Sequence, residues 1–253
     1  MTFVGIENRI KCAKNEYLLK TANDLMENKI ITALFNGGGI INSCEHHYNE
    51  DQMDSSAISE LVRSIHNEKK KYIEMLIEFS NDLPETMDNA VWRDRIGRGF
   101  LELGMLPEAE TEFKKAIERK GKYAAAYNNL GRTLLRMEKY NAAIEYFKVS
   151  TQLQPDYADY YIDHAEACLK SGRCKDAVDA SEKALKINIY YAKAYYTRAL
   201  GIILNSIKRE DFELAKKGKD AAKKDLTKAV SIDPSLKLNG FGRGMQLLDQ
   251  DRF

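Results

Sequence analysis

The chain lacks several features that would have narrowed its function at once. It has no run of 18 apolar residues, so no membrane span is expected. Its first residues, MTFVGIENRIKCAKNEY, carry no basic stretch followed by an apolar one, so a secretory leader is not expected either. Cysteine is scarce, and Cys12, Cys44, Cys168 and Cys174 follow no disulfide or zinc spacing. These features fit a soluble protein of the cytoplasm. Charge of one sign is also missing: 39 basic side chains face 38 acidic ones over 253 residues. Such a balance selects neither nucleic acid nor a lipid surface. The two ends differ, with an acidic excess over residues 1–89 and a basic excess over 90–253.

Motifs for catalysis are equally sparse. The glycines 37–39 are not followed by the GK[ST] of a phosphate loop. The segment CEHHYNED gathers Cys44, His46, His47, Glu50 and Asp51, but zinc needs three or four convergent ligands, usually from two spaced pairs, and no second pair exists. We expect a polar loop without metal or other cofactor. His164 has no evident acid partner, so it reads as a packed, hydrogen-bonded core histidine and not a general base. Cys168 falls in a core column as a small hydrophobe. No enzyme is expected.

What the sequence has is a period. Gly97, Gly131, Ala165 and Ala199 recur at one constant interval. Ala109, Ala143 and Ala177 follow the first three at a second, shorter interval, and Ala222 follows the fourth after nearly twice that distance. Ala116, Ser150, Ala184 and Ala229 form a third small column, and Pro155 and Pro234 stop two of the segments. Glycine within a helix costs about 1 kcal/mol against alanine, so a recurring one implies close packing.

These columns resemble the tetratricopeptide repeat family, whose signature is W-x2-L-G-x2-Y, then A-x3-F, then P, with a period of about 34 residues. Residues 124–157 fit best, through Tyr127, Leu130, Gly131, Leu134, Ala143, Phe147 and Pro155. Repeat 90–123 departs at Arg93 and Gly121, and repeat 158–191 at His164, Cys168, Ser181 and Ile189. The resemblance implies an all-α, right-handed α-solenoid of about four helical hairpins: 90–123, 124–157, 158–191 and 192–236. The last holds an 11-residue insertion, read as two lengthened helices meeting in a protruding turn near Lys217–Gly218. Gly131 and Ala143 are expected to face each other within their hairpin.

Outside the repeats, residues 1–89 are expected to form a helical extension. Its long helices, about 5–34 and 54–81, would be joined by a glycine-rich polar loop, and could cap the array or pair two copies into a homodimer. Residues 237–253 are expected to supply a capping helix.

Family members commonly hold a protein segment in the groove lined by the first helix of each repeat. Here that face would carry Arg95, Arg98, Asn128, Asn129, Arg132, Arg136, Asp163, Glu166 and Tyr196, with Asp94, Glu102, Lys170, Lys193, Thr197 and Leu200 beside them. Arginine grips carboxylates bidentately, and asparagine can bond a peptide backbone. The subtype that clamps chaperone C-termini needs lysine, two asparagines, then lysine and arginine across three repeats. Only Asn129 matches; Asp94, Arg98, Asp159 and Asp163 hold the other places, and a register one repeat later keeps only Lys193. The reading is therefore a non-enzymatic scaffold or adaptor for a protein or peptide partner. A chaperone-like cofactor for an assembling or secreted partner, and a metal-dependent or regulatory activity in residues 1–89, are its alternatives. Nucleic acid is not expected, since no basic stripe with interleaved aromatics occurs.

Overall fold

The computed structural model describes residues 5–49, 53–207 and 212–236. The chain divides into two compact units, Met1–Arg119 and Lys120–Phe253. The first is not all helical, which corrects the all-α expectation. Residues 5–47 form an antiparallel meander of four strands: β1 (Gly5–Cys12), β2 (Asn15–Asp24), β3 (Lys29–Asn36) and β4 (Gly39–His47).

The segment 5–34 is therefore sheet where helix was expected. Ile6, Ile10, Tyr17 and Leu18 do fall near helical spacing, but the decisive period is two. Tyr17, Leu19, Thr21 and Asn23 are buried along β2, and Ile30, Thr32 and Leu34 along β3. In register, Leu19 faces Leu34, Thr21 faces Thr32, and Ile10 faces Tyr17. Three of these inward residues are polar, which hides the alternation. The turns carry positive φ at Ala13 (49°), Asn28 (49°), Gly37 (56°) and Gly38 (85°), a conformation that asparagine and glycine accept readily and alanine does not. The Gly37-Gly38 pair closes the β3–β4 hairpin, with Asn36 paired to Gly39. What was expected as a polar loop is thus largely β4.

Helix α1 (Ser55–Asn81) follows the expected 54–81 segment, started by Asp54, whose carboxylate accepts the Ala57 N–H at 2.8 Å. It lies on the inward face of the sheet. Buried His66 links the two elements, its Nδ1 3.0 Å from Thr21 Oγ1 and its Nε2 2.7 Å from Asn8 Oδ1. One of the two helices expected to pair copies of the chain therefore does not exist.

Helices α2 (Ala90–Glu102) and α3 (Leu106–Arg119) form the first hairpin, within the same unit. Arg93, which replaces the family's aromatic residue, is buried and serves two carboxylates: Asp88 Oδ1 at 2.7 Å and Glu112 Oε2 at 3.0 Å. On α3, Glu108 accepts from Tyr17 Oη at 2.5 Å and from Asn15 Nδ2 at 2.7 Å. At the turn between the helices, Asn42 of β4 donates to the Glu102 carbonyl at 2.8 Å.

The second unit holds three helical hairpins: α4 (Ala124–Arg136) with α5 (Tyr140–Leu153), α6 (Ala158–Lys170) with α7 (Cys174–Ile187), and α8 (Ala192–Ile207) with α9 (Phe212–Ile232). Helices α5 and α9 end just before Pro155 and Pro234, as expected of proline. The fourth hairpin is lengthened, but Lys217 and Gly218 lie within α9 and not at a turn. Gly218 is a contact point instead: a β-carbon there would collide with Ser206 Oγ on α8. The expected capping segment 237–253 lies outside the described residues.

The recurring glycines pack against rings of the facing helix. A β-carbon at Gly131 would come 2.6 Å from the Phe147 ring, and one at Gly97 would come 2.7 Å from the Phe113 ring. Each glycine thus admits an aromatic ring from the second helix of its own hairpin. Ala143 and Ala109 are fully buried in the same hairpins. In the third hairpin the equivalent pair is Ala165 and Ser181, and in the fourth, allowing for its insertion, Ala199 and Leu226. Where the ring is replaced, the glycine becomes alanine.

Candidate functional site

The residues expected to bind lie on first helices, and in the second unit they meet between neighbours. Asn128 on α4 donates through Nδ2 to Asp163 Oδ2 on α6 at 2.8 Å. Arg132 Nε stands 3.9 Å from the same carboxylate oxygen. One step along, Glu166 on α6 meets Lys193 Nζ on α8 at 3.3 Å. The face of α4, α6 and α8 therefore carries a ladder of polar contacts, each joining one repeat to the next. Asp159 on α6 similarly accepts from the Tyr191 hydroxyl ahead of α8.

The electrostatics are uneven. Asp163 is held above the ordinary carboxylate range, chiefly by desolvation, although Asn128 and Arg132 oppose that shift. Asn128 is itself buried, and its Oδ1 has no hydrogen-bond partner. Asn129 is buried, whereas the Arg132 side chain is half-exposed. Arg136 ends α4, and Tyr196 sits on α8, partly buried against the fourth-hairpin core. Arg95 and Arg98 belong to α2 in the first unit. There Arg95 stacks on Trp92, 4.9 Å from the ring centre, and Arg98 pairs with buried Asp94 at 3.2 Å. Asp94 is thus a buried partner, not an open groove residue.

The other candidates resolve as follows. Cys44 and His46 share one exposed face of β4, with Sγ 3.5 Å from Nε2, while His47 lies on the other face. Among the described residues no three metal-capable side chains converge. Glu50 and Asp51 lie outside the described residues. Cys168 is buried, which pushes its thiol up to about 11. His164 was expected to be hydrogen-bonded, yet its Nε2 is buried without a partner. Burial, with Lys148 and Arg173 nearby, brings its pKa down to about 4. Sequence reasoning missed this because a histidine in a leucine column does not reveal whether its neighbours can bond it.

The sequence profile of the tetratricopeptide repeat family matches residues 124–157, the α4–α5 hairpin. Those residues are a tetratricopeptide repeat (TPR). Among curated proteins, the mitochondrial import receptor subunit TOM70 of Saccharomyces cerevisiae is 33% identical over 94 residues, 37% of this chain. The chain spans only 15% of that relative's length. Among solved structures, MamA superposes with a TM-score of 0.54 at 21% identity, covering 70% of this chain and 90% of that one. YrrB, described as a TPR protein with an unusual peptide-binding site, gives 0.53 at 16% identity, covering 74% and 88%. At such identities these likenesses speak to the TPR fold. Among the described residues no helix is long and apolar enough to cross a membrane.

Proposed function

We propose that the chain is a non-enzymatic interaction module that holds an extended segment of a partner protein against the TPR face of α4, α6 and α8. The observation that carries this reading is the Asn128–Asp163–Arg132 cluster that joins α4 to α6, with the Arg132 side chain half-exposed beside the Asp163 carboxylate. A guanidinium held near one carboxylate yet open to water can turn to an acidic group of a bound segment. Arg132 and Arg136 would add carboxylate recognition at the edge, and Glu166 beside Lys193 would suit a segment of mixed charge. Arg95 and Arg98, on α2 of the first unit, would offer a second arginine pair of the same chemistry. YrrB's described peptide-binding site supports the class of ligand. The four free cysteines fit a reducing, intracellular compartment.

The test is a peptide-display selection with full-length protein, followed by affinity measurement on the selected peptide. Arg132→Gln with Arg136→Gln removes charge without placing new acid beside Asp163. Exposed arginines of this kind contribute little to folding, so the melting temperature should hold while peptide affinity falls at least about tenfold. Equal affinity with unchanged melting would place binding elsewhere on the molecule.

A further inference from the structure

One repeat of the array lacks an internal carboxylate that the next repeat has. In the fourth repeat Arg198 on α8 lies 5.5 Å from the Tyr195 ring centre and is held by both oxygens of Asp225 on α9, each at 2.7 Å. The equivalent positions one repeat earlier are His164 and Ala180, with Tyr161 in place of Tyr195. A cationisable side chain is retained, but its acid is replaced by a methyl group. A cavity of about 370 Å³ opens there between α5, α6 and α7, lined by His164 and Ala180. The His164 ring lines this cavity, and its Nε2, turned into the packing, has no partner.

We propose that this cavity binds the carboxylate of a small organic acid, which takes the place that Asp225 fills in the next repeat and accepts a hydrogen bond from His164. The cavity volume lies within the range of small-ligand sites, about 300–1,000 Å³. Its cations come from two helices and the turn between α6 and α7: Lys148 on α5, Lys183 on α7, and Arg173 just ahead of α7. Arg173 is engaged by Asp176 at 2.6 Å and Lys148 by Glu145 at 2.8 Å, while Lys183 stands 6.0 Å over the Tyr161 ring. Lys183 is therefore the cation best placed to follow a ligand. Asp176 and Asp179 also line the cavity and oppose an anion, favouring a ligand with a single carboxylate end at His164 and a polar remainder. With the site empty, burial and the cations keep His164 neutral; a carboxylate beside it would favour the protonated ring.

The test reads the His164 ring proton by NMR in the full-length protein, assigned through His164→Gln, with sodium lactate, a hydroxylated monocarboxylate, or sodium chloride at matched ionic strength. Lactate should raise the His164 titration midpoint by about 1–3 pH units, the effect expected of an opposite charge at contact distance. Lys183→Gln should weaken that response. Ala180→Asp should raise the midpoint without added acid and abolish the lactate response, with its spectrum confirming the fold. Equal midpoints in lactate and chloride overturn the proposal, as does an Ala180→Asp protein that folds but leaves His164 unmoved. A response to inorganic phosphate alone overturns the carboxylate assignment, and a response only to an acidic peptide overturns the small-acid assignment.

Discussion

The Phe147 ring occupies the space that a side chain at residue 131 would need: its edge lies 2.6 Å from where a β-carbon on Gly131 would stand. Glycine here is a packing requirement imposed by a ring on the facing helix, α5. Gly131→Ala gains about 1 kcal/mol of helix propensity but forces the ring to move, and overpacking costs about 1–3 kcal/mol. The pair Ala165 and Ser181 shows the alternative solution in the same chain. In a Phe147→Ser background, Gly131→Ala should therefore stabilise, although Phe147→Ser alone is strongly destabilising. Denaturant melts of the four proteins should give a coupling of about 1–3 kcal/mol. Additive effects would break the link between ring and glycine.

That relationship also marks how far the sequence could be read. The regular period located the hairpins, because small residues at fixed spacing have no other common cause. It could not say what each glycine receives, since Ala143 and Phe147 recur at equally regular places. The meander was less legible, because inward Thr21, Asn23 and Thr32 satisfy one another, a tyrosine or a histidine and break the apolar alternation. At the candidate site, residue types were readable and pairings were not. Asn128 and Asp163 belong to different repeats, and only packing of one hairpin on the next brings them together.

The turns inside three hairpins carry a column of their own, with positive φ at Gly104 (76°), Glu138 (60°) and Gly172 (76°), once per repeat. Glu138 alone of the three carries a side chain in this left-handed region, where glycine is at no disadvantage. Glu138→Gly should raise stability by about 0.5–1 kcal/mol despite the freer unfolded chain. A lower midpoint in urea would mean that the Glu138 side chain supports the turn.

In the first unit, Tyr17 donates to buried Glu108 at 2.5 Å. Burial and this bond hold the tyrosine well above its ordinary range, so the phenol stays protonated throughout neutral pH. Tyr17→Phe removes the donor and leaves Glu108 with Asn15. The expected cost is about 1–3 kcal/mol, that of an under-satisfied buried acceptor. Tyr17→Phe with Glu108→Gln should recover part of it, because the remaining group is neutral. Thermal melts of the two variants check both statements.

Asp163 supplies the pH-dependent case. Its folded pKa is raised, so folding favours the protonated carboxyl. Its contribution to stability is full below the unfolded value near 3.8 and is lost as pH rises through the folded one. Asp163→Asn keeps an acceptor for Asn128 without a desolvated charge, and so should be more stable than the parent at neutral pH. The advantage should shrink as pH falls towards the unfolded value, where the parent becomes neutral as well. The same substitution releases Arg132 from the carboxylate 3.9 Å away and leaves more positive potential along the face. Peptides with acidic residues should then bind more tightly, so stability and affinity rise together at neutral pH. Melting temperature and peptide affinity measured side by side at two pH values test this. A variant less stable than its parent at neutral pH would show that Arg132 and Asn128 more than offset the burial of the charge.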